Sequence, residues 1–231
     1  MVANSLLLSL GIMIWKETKA LIRKEIAYEW KTKYALYGLL LYSISTIYTA
    51  YLAFQGNIGP EAWNSVLWIV LIFASVQGAA KSFVNESGAR FTLLYQLANP
   101  RSIILSKIVY NSILLSLIGL LSFLIYILLL GNESANTPMF VVALLLGIVA
   151  FSSILSMVSA IASRVHNNPA ILAILSLPLL LPVLISAIRL GSIAVLGSGW
   201  DVGLPLIGSL LMLNTMVWLL AYLLFPYLWR E

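Results

Sequence analysis

The chain has 231 residues, of which 61% are hydrophobic and only 9% charged, against roughly 25% charged in an ordinary soluble domain. No water-soluble fold of this size hides that much apolar surface, so soluble, disordered and nucleic-acid-binding readings are excluded. The net charge of +5 rests on few basic residues, and zero cysteines with one histidine exclude disulfides, Cys-ligated zinc, iron–sulfur clusters, covalent haem attachment and a His-based metal site within the chain.

In chain order, residues 1–12 come first. The apolar run that starts at Leu6 is about ten residues long, with no basic leading region and no small-residue cleavage site, so it makes a poor signal peptide. It reads as an extension outside the fold proper, with Met13 as an alternative start. Residues 13–33 place Trp15, Ile22, Ile26 and Trp30 at helical spacing among lysines and glutamates. That pattern predicts an amphipathic helix lying in the membrane interface, with Glu29 and Lys33 as an i,i+4 pair.

A bilayer core about 30 Å thick needs about 20 apolar residues per helix. Six stretches qualify: 34–54, 63–80, 103–130, 139–163, 170–189 and 204–229. The expected fold is therefore all-α, a single transmembrane domain over 13–231 with six spans. Basic residues support that count. Lys16, Lys19, Arg23, Lys24, Lys31 and Lys33 precede span one; Lys81, Arg90, Arg101 and Lys107 lie at the junction of spans two and three; Arg164 lies between four and five, and Arg230 follows six. These are twelve of the thirteen, all on one side if every span crosses, and the loops 55–62, 131–138 and 191–203 contain none. The positive-inside rule then places both termini in the cytoplasm.

Residues 81–101 form the longest connection on the basic side. They are too polar to span, yet Phe91, Leu94, Tyr95 and Ala98 repeat at helical spacing. Gly88 breaks the first part and Pro100 stops the second. Periodicity alone leaves two readings open, a helix packed on headgroups and a docking helix that offers a face to a soluble partner.

Chemistry is scarce. There is no phosphate-cradling GxxxxGK[ST], no HExxH, no GxSxG, and all eight acidic residues lie outside the spans, so an intramembrane hydrolase or ion-coupled transporter is disfavoured. Any energy input must come from another subunit. Gln77, Asn111 and Asn214 read as hydrogen bonds between helices. His166, in the turn 164–169, has no second ligand nearby in sequence. Met212 and Met216 read as packing rather than ligation. Ser152, Ser156 and Ala160, and Ala74 with Gly78, form small-residue stripes suited to helix contacts. Pro178 and Pro182 put two backbone defects on one face of span five, predicting a kink, static or gating. The Gly-rich stretch 191–203 after it is a candidate re-entrant segment.

Together these parts resemble the ABC-2-type permease plan. Leu177-Pro178-Leu179-Leu180-Leu181-Pro182-Val183-Leu184-Ile185, the segment from Phe83 through Glu86, Gly88, Leu93, Tyr95 and Leu97 to Pro100, and the entry Lys33-Tyr34-Ala35-Leu36 resemble the CcmB (cytochrome c maturation protein B) "haem exporter" family. The likeness runs from about Met13 to the C-terminus. Where that family carries an acidic run, Asn85-Glu86-Ser87 holds one carboxylate.

The resemblance implies a non-catalytic permease subunit in a bacterial inner membrane. Its partners would be a CcmA-like ATPase that binds the ATP, CcmC-like and CcmD-like membrane subunits, a CcmE-like haem chaperone and the lipid bilayer. No cofactor is expected on this chain; haem is the candidate substrate of the complex, either exported or released on the loaded chaperone. Phe83, Glu86, Gly88, Arg90, Phe91, Leu94 and Tyr95 would form the ATPase-coupling surface. A membrane scaffold that transports nothing, and an ABC-2 exporter of a polysaccharide or drug, are the competing readings.

Overall fold

Seven helices and no strand make up the described residues, 2–84, 98–162 and 169–227, of the computed structural model. They are α1 (Val2–Thr32), α2 (Tyr34–Phe54), α3 (Pro60–Val84), α4 (Pro100–Leu130), α5 (Thr137–Ala162), α6 (Pro169–Val195) and α7 (Trp200–Leu224).

Local chemistry sets most boundaries. Helix α1 ends where Lys33 takes the left-handed conformation, φ 51°, which costs a residue with a Cβ about 1 kcal/mol. The Glu29 carboxylate then accepts from the Leu36 N–H at 2.9 Å, satisfying one of the four orphan donors at the start of α2. Proline opens α3 and α4, where its missing N–H is harmless. At α4 the Asn99 side chain caps the Arg101 N–H at 3.0 Å. Pro100 therefore begins a helix, and the third span starts three residues earlier than the apolar run suggests. Helix α7 stops at Leu224, short of the expected 229: Phe225 still donates its N–H to the Ala221 carbonyl at 3.1 Å, but Pro226 has no N–H with which to continue the ladder.

Five helical segments are long and apolar enough to cross a membrane: Leu36–Phe54, Pro100–Leu130, Thr137–Ala162, Ile174–Val195 and Trp200–Leu224. The described part of α3, which holds most of the expected second span, is not among them. The stretch 191–203, expected to dip back into the bilayer, consists instead of the last turn of α6, a short turn and the first turn of α7. Gly197, at φ +72°, makes that turn possible, and Ser198 N–H closes it on the Ile193 carbonyl at 3.1 Å.

Helix α5 is the hub. It packs against α3, α4, α6 and α7 and is buried along most of its length. Lipid tails are as apolar as leucine, so helices here associate through close approach and polar contacts. The expected small-residue stripes supply both. Ser112 and Ser152 hydroxyls meet at 3.2 Å, and Asn111 donates to Ser156 at 2.8 Å, joining α4 to α5. A methyl at Gly78 would sit 3.0 Å from Leu115 and 3.3 Å from Leu39, so α2, α3 and α4 approach closely around this glycine.

Candidate functional site

The basic residues of α1 and the start of α4 lie together at one end of the bundle, and there the start of α4 is held from two sides. From α1, Glu17 accepts the Asn99 backbone N–H at 3.1 Å and the Ser102 hydroxyl at 2.9 Å. Eight residues on, Glu25 meets the Lys107 ammonium at 3.2 Å, with the Lys107 side chain only 3% exposed and that of Glu25 13%. Four residues further, the Glu29 carboxylate lies beside the Tyr110 hydroxyl. From α7, Tyr222 places its ring 4.9 Å under the Arg101 guanidinium, a cation–π contact. A small apolar cluster of Ile103, Ile104, Ile108, Met157, Ala160, Ala221 and Phe225 fills the space behind them, separate from the main core.

Glu17, Leu21, Glu25 and Glu29 repeat every four residues, so they form one stripe along α1. That stripe faces α4. The expected Glu29–Lys33 pair is replaced by the Glu29 contacts to Leu36 and Tyr110, because Lys33 lies beyond the helix end. Sequence reading missed the three glutamates and Lys107 as a unit. The available signal was Lys107 itself, a charge inside an apolar run that must find a counter-charge to be tolerated there.

The neighbouring face of α1 carries the apolar residues read from the sequence. Trp15 is 68% and Trp30 79% exposed, Ile26 is exposed, and Ile22 is half-buried. Pro178 and Pro182 lie on an exposed face of an otherwise continuous α6, with the Ser186 hydroxyl donating to the Pro182 carbonyl at 2.9 Å. Met212 and Met216 point outward from α7 rather than into the bundle. Between them Asn214 donates to the Leu146 carbonyl at 3.2 Å, the interhelical role expected of it. Glu86, Gly88, Arg90, Phe91, Leu94 and Tyr95 lie outside the described residues, as do Arg164 and His166. Of Phe83 only the backbone is described, in the last turn of α3.

At the far end the helices close on aromatic rings. Trp63 is buried against Phe123, Tyr126 and Phe140. Its indole N–H donates to the Gly131 carbonyl at 3.0 Å and its own carbonyl accepts from Tyr126 at 2.8 Å. Asn64 accepts from the Trp68 indole at 3.0 Å and donates to Ile188 and Ser192. Sequence reasoning passed over Asn64 as well, since its partners on α6 lie more than a hundred residues away.

These arrangements position helices. Neither offers a nucleophile beside a base, and no three His, Cys, Asp or Glu converge on a common point among the described residues. What the basic end shows is how the start of α4 is fixed. Asn99, the residue that Glu17 holds, is also the residue just before α4 begins.

No curated protein matches the chain. A protein-family model described as "CcmB protein" matches residues 16–224.

Proposed function

The chain belongs to the CcmB protein family, and from that premise we propose how this membrane permease of c-type cytochrome biogenesis is driven. It is the transmembrane subunit of an ABC complex, multi-pass in the bacterial inner membrane, with six spans and both termini cytoplasmic. Residues 81–101 dock into a CcmA-like ATPase through Phe83, Glu86, Gly88, Arg90, Phe91, Leu94 and Tyr95. Closure of the nucleotide sites tilts that segment, and α3 and α4 carry the movement to the outer side. Pro178 and Pro182 let α6 flex as they move. Helix α1 lies in the interface with Trp15, Ile22, Ile26 and Trp30 toward lipid. CcmC-like and CcmD-like subunits and a CcmE-like chaperone complete the assembly, which uses the energy for haem export or for release of the haem-loaded chaperone.

The observation that supports this reading is the seat of α4. A buried ion pair at a helix start is costly to build, and it fixes one orientation between α1 and α4 at the point where residues 81–101 deliver the chain. A connection meant only to pass the chain across the membrane surface has no need of it.

The test is a complex assembled with an ATPase partner whose hydrolytic site is dead. The expected result is loss of c-type cytochromes with the complex intact. Normal cytochrome maturation in that strain would make the protein a scaffold. Normal maturation after deletion of this chain would move it to the export of another substrate.

A further inference from the structure

Seating α4 on a stripe of glutamates sorts the charges of α1. Residues 13–33 contain six basic and three acidic side chains. Glu17, Glu25 and Glu29 are all turned toward the protein and none is exposed, whereas Lys16, Lys19, Arg23, Lys24, Lys31 and Lys33 all are. The surface of α1 that faces away from the bundle therefore presents cations without carboxylates. Three of those cations adjoin the apolar stripe. Lys19 follows Trp15 by four residues and precedes Ile26 by seven; Arg23 follows Lys16 by seven and precedes Trp30 by seven. Residues four and seven apart share a helix face, so Lys16, Lys19 and Arg23 border the Trp15, Ile26 and Trp30 side chains along several turns.

The position of α1 selects the occupant. Only Lys33 separates α1 from α2, and α2 becomes a candidate span at Leu36. The C-terminal end of α1 is thus held at the level where apolar chain gives way to headgroups. Exposed tryptophans favour that level, and a basic face beside an apolar one adds electrostatic attraction to anionic lipid. An acidic soluble protein could answer the cations but not two exposed indoles at membrane depth.

We propose that the outward face of α1 is a binding surface for anionic phospholipid headgroups, with Lys16, Lys19 and Arg23 on the phosphates and Trp15, Ile26 and Trp30 at the headgroup–acyl boundary. The proposal rests on the reading of α1 as an interfacial helix and adds the class of lipid it selects.

The chain contains no cysteine, so Ala27→Cys, at an exposed position on the outward side, accepts a single fluorophore in the full-length protein. The protein is reconstituted into vesicles of equal parts phosphatidylcholine and phosphatidylglycerol, with a spin-label quencher on one lipid or the other. The expected result is about threefold or greater quenching by the labelled phosphatidylglycerol, reduced by salt. With Lys16→Gln, Lys19→Gln and Arg23→Gln combined, the two lipids should quench equally, and the quenching that remains shows the helix still on the membrane. Equal quenching in the unsubstituted protein, as an acidic-protein site would give, overturns the lipid selectivity and leaves the interfacial helix standing. Quenching by neither lipid overturns both. A preference that survives the triple substitution overturns the assignment to these three residues.

Discussion

At the end of the bundle opposite the α4 start, α3, α4 and α5 meet through Trp63, Phe123, Tyr126 and Phe140, and α3 meets α6 through Asn64. At the basic end, α4 is seated on α1 and α7 through Glu17, Glu25, Lys107 and an Arg101–Tyr222 stack, with only a small apolar cluster behind it. Aromatic packing depends on shape and changes little with small shifts in charge or salt. Ion pairs and capped helix starts are directional, and partners can shift them. The contrast is between an end packed by shape and an end seated by charge.

That contrast can be broken at either end. The largest effect is expected from Trp63→Ala, which removes the ring at the centre of the aromatic cluster and should cost about 3–5 kcal/mol. Thermal unfolding of the purified chain checks it, and a loss below about 1 kcal/mol would mean the far end is not a rigid block. Next comes Glu25→Ala, which takes a carboxylate away from the buried Lys107 ammonium at a cost of up to about 3 kcal/mol. Combining Glu25→Leu with Lys107→Met should recover most of that stability while removing the clamp. If the double variant is no more stable than the single one, the pair is not the unit described. Gly147→Ala should cost about 1–3 kcal/mol by overpacking, since its methyl would lie 2.6 Å and 2.7 Å from the Trp68 ring. The smallest effect belongs to Trp30→Ala. This side chain is 79% exposed, and its removal should change unfolding in detergent by less than about 0.5 kcal/mol. A larger loss would place Trp30 against protein rather than lipid.

Which parts were legible in the sequence follows from range. Composition and the alternation of basic loops announced membrane helices, and five of the expected spans coincide with apolar helices whose ends differ by a few residues. The differences trace to single residues: Asn99 and Pro100 start α4 early, and Pro226 stops α7. In the second span hydropathy says nothing of Asn64, which stitches α3 to α6. Glycine content in 191–203 did not distinguish a tight turn from a re-entrant loop, because both need left-handed backbone. The α4 seat was hidden for another reason. Glu25 and Lys107 are far apart in sequence, and glutamates on an amphipathic leader look solvated until the helix they face is known. The coupling residues Phe91 and Leu94 rest on periodicity and family resemblance.

The account stands or falls on whether the ATPase grips residues 81–101. The direct measurement is co-purification of the partner ATPase with the full-length chain carrying Phe91→Asp and Leu94→Asp, alongside the c-type cytochrome content of the same cells. The account predicts that the ATPase is lost from the complex and that c-type cytochromes disappear, while the substituted chain remains in the membrane. An ATPase that still co-purifies, in cells with normal c-type cytochromes, would contradict it.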